Sequence, residues 1–295
     1  MKRVLLTTMG VAALGMASYA ATFMQVKTDD GKIVRYDVEH VTEVNFVKDE
    51  IIPSDTTPLI PSDTLLSNHP YVDLGLPSGT LWATYNVGAT KPEEYGDYFA
   101  WGETEPKEVY DWITYKYATS RGGFLDSITK YNMSGHYGII DKLSVLLPED
   151  DAATANWGKD WRMPTNEEQR ELQENSYMVW TDGYNGTDVR GVIFYKAKSA
   201  DDKGEFVGSW QTPLSDYSVS SDAHVFLPAA GYRCDDELGD VGGNGRFWSS
   251  SLDEYHEDGE LRARVLFFYG KGVDWNNYYG GRFFGLPVRA VRTKN

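Results

Sequence analysis

The sequence predicts an α+β fold with short antiparallel strands, two main helices and long loops. Two observations carry this. Runs of strand character recur between Gly, Asn and Asp, as in Gly191–Tyr195, His224–Leu227, Arg264–Tyr269 and Val288–Arg292. Their length and punctuation are those of strands. Helix signals stand out at two places, and no regular alternation of strand and helix calls for a parallel sheet.

In chain order, residues 1–20 read as an export signal. Lys2 and Arg3 precede an apolar run from Val4 to Ala17, and Ser18-Tyr19-Ala20 supplies small residues where a peptidase cuts, after Ala20. The run is shorter than the ~20 apolar residues of a membrane span. Residues 21–47 form a β-hairpin segment: Phe23–Val26 and Ile33–Val38 are strands, Asp29-Asp30-Gly31 is the tight turn between them, and Val41–Val47 is a candidate third strand. Residues 48–70 are a linker with Pro53, Pro58, Pro61 and Pro70 among Ser, Asp and Thr, a composition that stays extended. Asp55-Thr56-Thr57 and Asp63-Thr64-Leu65 are either short O-glycosylation signals or plain solvated linker. Residues 71–293 then run on as one domain without a second linker or an internal repeat.

Within that domain, Pro148 opens the first helix. Glu149, Asp150 and Asp151 follow with charge suited to its positive end, and Gly158 stops it. Thr165 and Glu168 predict a capping box for the second helix, with Leu172 facing inward. In Trp161-Arg162-Met163-Pro164-Thr165, the indole is expected under that second helix, Arg162 on a carboxylate or carbonyl, and Pro164 at the entry. Ala229-Ala230-Gly231 permits close backbone approach, and Ser249–Ser251 can satisfy backbone groups where strands diverge. Val288–Arg292 alternates apolar and charged residues, as a half-buried antiparallel strand does.

Composition narrows the function. Hydrophobic residues make up 41% and aromatic residues 14%, enough for a core held without covalent help. The net charge of -16 repels nucleic acid and anionic lipid. No segment beyond the signal is apolar enough for membrane insertion. Cys234 is the one cysteine, so no internal disulfide forms. Its neighbours Asp235 and Asp236 oppose a thiolate. The histidines (His40, His69, His136, His224, His256) show no zinc spacing, and His224 reads as a satisfied strand-edge residue. Gly239–Gly245 reads as a mobile loop. Two acidic loops, Asp235–Asp240 and Asp253–Glu260, lack the EF-hand pattern and read as solvated. No metal or other cofactor is expected.

Five strings in fixed order carry a family resemblance. They are Tyr71–Ala83, Tyr95–Glu103, Trp161–Thr165 with Glu168 and Leu172, Phe226–Arg233 leading to Phe247–Ser251, and Gly285–Arg292. In this order the chain resembles the Fibrobacter succinogenes major paralogous domain family, a group of secreted bacterial domains akin to the C-type-lectin-like and sulfatase-modifying folds. The resemblance spans nearly all of 71–293 and implies a C-type-lectin-like mixed domain. The 21–47 segment is similar to the leader module found before such domains. Relatives carry cysteines where this chain has Tyr85 and Ala290, which implies a lost disulfide pair. The formylglycine-generating enzymes of the same kinship use two cysteines with copper, and a chain with one cysteine lacks that chemistry.

The candidate ligand-binding residues are Trp275, Asn276, Asn277, Tyr278, Tyr279 and Arg282, flanked by Gly280 and Gly281. Aromatic faces beside amide side chains suit a glycan or protein ligand. Asp274-Trp275-Asn276-Asn277 partly matches the calcium and sugar motif of C-type lectins, with Asn277 in place of the acid. The expectation is a non-enzymatic binding or adhesion module, secreted, at the cell surface or in the periplasm. Two alternatives stay open: an extracellular polysaccharide-acting enzyme using paired carboxylates, and a structural subunit of a surface assembly. The sequence sets no oligomeric state.

Overall fold

The computed structural model of the protein describes residues 23–27, 33–37, 69–253, 261–274 and 279–294. The expected export signal, the expected Asp29-Asp30-Gly31 turn, the candidate third strand at Val41–Val47, nearly all of the expected linker and the Trp275–Tyr278 part of the candidate loop lie outside the described residues. Two compact units divide the chain, Met1–Leu59 and Ile60–Asn295. In the first, Phe23–Lys27 and Ile33–Asp37 pair antiparallel, with Val26 opposite Val34.

The second unit is mixed and strand-rich. Its described residues hold two α-helices, Ala152–Trp157 (α1) and Asn166–Asn175 (α2). None is long and apolar enough to cross a membrane. A three-stranded sheet joins the two ends of the unit: Thr80–Ala83 runs between Tyr71–Val72 and Val291–Thr293, antiparallel to both. A four-stranded sheet is ordered Phe206–Val207, Ser176–Thr181, Gly191–Lys196, His224–Pro228, its first pair parallel and the others antiparallel. In a third sheet, Arg262–Tyr269 pairs with Asn244–Leu252 on one side and with Gly272–Asp274 and Tyr279–Gly281 on the other.

Side-chain alternation places the cores. Along Gly191–Lys196, Val192 and Phe194 join one apolar cluster with Trp82, Leu172 and Phe247, while Ile193 and Tyr195 join another with Tyr177 and Phe226. The central strands are thus buried on both faces, as near-continuous apolar runs are. The largest cluster collects Trp101, Trp161, Trp248, Tyr115 and Tyr131. Two of its indoles bond their polar edges: Trp101 Nε1 donates to Ser249 O at 2.9 Å and Trp248 Nε1 to Phe99 O at 2.8 Å, while Trp161 Nε1 is buried without an acceptor among the described residues.

Local signals set α2 as expected. Thr165 accepts from Glu168 N–H at 3.2 Å, and Glu168 Oε2 accepts from Thr165 N–H at 2.9 Å. Arg162 grips the same carboxylate with two bonds of 2.6 Å, and Thr80 adds a third donor at 2.9 Å. Burial would raise the Glu168 carboxyl; Arg162 and the cap outweigh it and hold it below its ordinary value. Ser78 donates its N–H to Glu171 Oε1 at 2.7 Å, tying the Tyr71–Ala83 string to the same helix. Leu172 is fully buried. Replacing Thr165 with alanine is expected to cost about 1 kcal/mol, read as a lower urea midpoint, because one buried N–H loses its acceptor.

Four expectations need correction. The Pro148 helix breaks after one 3₁₀ turn, Pro148–Asp150, because Asp151 caps α1 by accepting from Thr154 N–H at 2.9 Å, and Asp150 turns inward. Trp161 packs on α1 rather than α2, its ring 5.3 Å from that of Trp157, with His69 stacked on Trp157 at 3.9 Å. Val288–Arg292 is buried on both faces, not half-buried. Arg289 enters the interior because its fork finds three oxygen acceptors, Asn86 Oδ1 at 2.8 Å, Ala83 O at 3.1 Å and Phe226 O at 2.8 Å. The Gly239–Gly245 segment is a tied turn rather than a free loop: Gly243 N–H and Asn244 N–H both donate to Asp240 O, Gly242 N–H donates to Ala229 O, and Arg246 pairs with Asp240 at 3.2 Å.

Close approach at Ala229-Ala230-Gly231 and relief at Ser249–Ser251 are found as expected. Gly231 has φ of 64°, and a side chain there would strike the Gly239 carbonyl and the backbone of Asp240 and Val241. The Asn244–Leu252 ladder shifts register between Trp248 and Leu252. Across that shift Ser249 Oγ accepts from Ser251 N–H at 3.1 Å, and Ser251 Oγ accepts from Asn166 N–H at 3.1 Å.

Candidate functional site

Two of the recognised strings and the loop between Glu103 and Tyr110 meet at an open cleft of about 440 Å³. Three backbone links build it. Tyr98–Phe99 pairs with Leu286–Pro287. Arg233 and Gly285 exchange both N–H···O bonds, at 2.8 and 3.0 Å, and Tyr110 and Asp235 do likewise at 2.8 and 2.9 Å. Asp235 adopts φ of 53°, an uncommon conformation for a non-glycine residue. Gly285 is required because a Cβ there would lie 2.6 Å from the Tyr110 ring.

The floor is aromatic and fixed. Tyr98 OH donates to Ala230 O at 2.7 Å, and Tyr110 OH donates to Tyr98 O at 2.6 Å. Burial pushes both phenols above their ordinary pKa. Lys107 is committed to the wall, donating to Glu103 at 2.9 Å and Thr114 O at 3.1 Å. The other charged groups are not. Arg233 places its guanidinium 5.5 Å from the Tyr98 ring centroid. Among the described residues, no side-chain hydrogen bond or ion pair engages Arg233, Asp97, Glu108 or Asp236. Donors and acceptors thus converge, uncommitted, over a rigid ring floor, which is what a recognition site provides.

Cys234 adjoins this cleft. Burial and then Asp235 raise its thiol, so it is not poised as a nucleophile. His224 is satisfied at both nitrogens, by Tyr184 OH and Asp222 O, each at 2.8 Å. Among the described residues no three of His, Cys, Asp and Glu gather as a metal site.

Of the sequence-expected site residues, Trp275, Asn276, Asn277 and Tyr278 lie outside the described residues. The Tyr279 backbone pairs with Arg264. Arg282 is a correction: it is fully buried and holds the frame from within. Its Nε donates to Tyr115 OH at 2.9 Å, and Nη1 and Nη2 donate to the carbonyls of Tyr131 and Lys130 at 3.2 and 2.9 Å. Its guanidinium centre is 4.9 Å from the Trp101 ring centroid. Carbonyls of a distant loop, rather than solvent, meet its fork.

Sequence reasoning also missed the Asp150 cluster. Its carboxylate accepts from Tyr117 OH, from Tyr131 OH at 2.6 Å, from Lys130 at 2.5 Å and from Lys116 at 3.1 Å. Burial alone would raise this carboxyl; the lysines and phenols overcome that and hold it well below the carboxylate range. Burial, with Asp150 second, raises both tyrosines. A residue that accepts four donors in the interior is a fastening, and it braces the 116–131 segment that Arg282 also grips.

Compared with known proteins, the chain matches no family model, no curated protein and no solved structure.

Proposed function

We propose that this chain is a secreted or cell-surface binding module of the Fibrobacter succinogenes major paralogous type, with a C-type-lectin-like frame that recognises glycan or protein ligands. The supporting observation is the cleft in which Arg233, Asp97, Glu108 and Asp236 stand uncommitted over Tyr98 and Tyr110. Folding does not use these side-chain donors and acceptors, so they are free for a partner. The Trp275–Tyr279 loop is a second proposed contact region, without Arg282.

Glycan and peptide arrays probed with the full chain test this reading. Arg233→Ala is expected to weaken the best ligand by about 2 kcal/mol, roughly thirtyfold in Kd, as loss of a central arginine anchor does. Its unfolding midpoint should fall by only about 1 kcal/mol, the contribution of a half-buried cation–π contact to Tyr98. Signals that survive Arg233→Ala unchanged would remove the cleft from the account.

One observation favours a second reading. The acids Asp97, Glu108 and Asp236 share the cleft, as a polysaccharide-cleaving pair would. Glu108 and Asp236 are solvent-exposed, however, whereas a proton-donating carboxyl works from an apolar enclosure. Release of reducing ends from a polysaccharide, abolished in folded Asp97→Asn, would establish the enzyme in place of the module.

A further inference from the structure

A second surface presents rings to solvent without using any cleft residue. Trp210 is 65% exposed. Its loop is pinned: Gly208 N–H donates to Gln211 Oε1 at 2.7 Å, Gln211 N–H to Gly208 O at 3.0 Å, and Ser209 N–H to Gly270 O at 2.9 Å. Gly270 lies in the turn between strands Arg262–Tyr269 and Gly272–Asp274. Beside it, Tyr269 is 42% exposed and stacks on Phe267, with centroids 5.7 Å apart and planes at 28°. An indole and a phenol therefore each stand one residue from the bond that ties loop to turn. Lys271 brings its ammonium within 5.5 Å of the Trp210 ring centroid.

The chemistry around these rings selects the occupant. An apolar protein partner needs a contiguous apolar patch, yet Ser209, Gln211 and Lys271 surround the indole in sequence and space. A pyranose ring has the matching duality: one face of C–H bonds to lie on an aromatic plane, and a rim of hydroxyls for ammonium, amide and hydroxyl groups. The net charge of -16 favours a neutral polymer over an acidic one. Pinning the loop means that little ordering remains to be done on binding.

We propose that Trp210, with Lys271 at its edge, forms a stacking platform for a pyranose ring of a neutral polysaccharide. The platform rests on the glycan reading for its ligand class and is independent of Arg233 for its contacts.

Affinity gel electrophoresis of the full chain through a soluble β-glucan, a xylan and a mannan tests it. At least one is expected to retard the protein. Trp210→Ala should raise that Kd by about tenfold or more, and Trp210→Phe should retain most of the retardation, because stacking survives in a smaller ring. Urea midpoints should be unchanged, since the indole lies largely in water. Wild-type migration by Trp210→Ala, or retardation by none of the three, overturns the platform. Loss in Arg233→Ala with retention in Trp210→Ala overturns the platform and leaves the cleft standing. The reverse keeps the platform and removes the cleft.

Discussion

Asp150→Asn is expected to destabilise the domain by about 2–4 kcal/mol at neutral pH, because it leaves two buried phenols and two partly exposed lysines facing an amide. The figure sits toward the low end for a broken buried cluster, since Lys130 and Lys116 keep 26% and 48% of their side-chain exposure and solvent screens that part. The pH dependence follows from the direction of the shift. The folded carboxyl lies below its unfolded value of ~3.9, so its stabilisation is complete above that value and fades as pH falls toward the folded one. The gap between wild type and Asp150→Asn, measured as urea midpoints, should be constant from about pH 8 to 5 and narrow below about pH 4. A gap that stays constant through the acid range would mean the loss is one of shape rather than charge. Adjacent Asp151 is displaced the other way: burial raises its carboxyl despite bonds from the Thr154 and Met163 N–H groups.

Arg282→Met should cost more, about 3–5 kcal/mol, since the carbonyls of Lys130 and Tyr131 and the Tyr115 hydroxyl lose a shared partner in the interior. Arg282→Lys should recover little, because a point ammonium cannot span acceptors placed for a planar fork. Thermal unfolding reads both. A ligand-contact role would show the opposite pattern, with weakened binding and unchanged melting, and the buried geometry excludes that pattern for Arg282.

What the sequence made legible was local. Thr165 with Glu168, Arg162 on Glu168 and the Ser249–Ser251 relief all join residues a few positions apart, or repeat a known backbone device. The α+β class followed from strand length and spacing. Asp150, Arg289 and Arg282 were opaque for a physical reason. Asp150 meets Tyr131 and Tyr117 from 19 and 33 positions away, Arg282 reaches Tyr115 across 167 and Arg289 reaches Ala83 across 206. A charged residue reads as solvent-facing until its partners are found, and these partners are mostly carbonyls, phenols or distant lysines that carry no sequence signature. Tyr110, in an irregular loop, is placed by its backbone pairing with Asp235 and its bond to the Tyr98 carbonyl, neither of which leaves a mark in the sequence. The one legible hint of the cleft was that Tyr95–Glu103 and Phe226–Arg233 both belong to the ordered strings.

The frame explains why recognition can be concentrated in a few side chains. Arg282 and Asp150 fasten the 116–131 segment, the Tyr110 phenol holds the Tyr98 carbonyl while the Tyr98 phenol holds that of Ala230, and Gly285 admits the Tyr110 ring. Ordering costs are met during folding, so a ligand meets a prepared surface.

The most direct test is an amide hydrogen-exchange footprint of the full chain with the strongest array ligand. Slowed exchange at Gly96–Tyr98, Lys107–Tyr110 and Arg233–Asp236 is the predicted result. Unchanged exchange in all three segments, with the ligand bound, would contradict the placement of recognition in the Arg233 cleft.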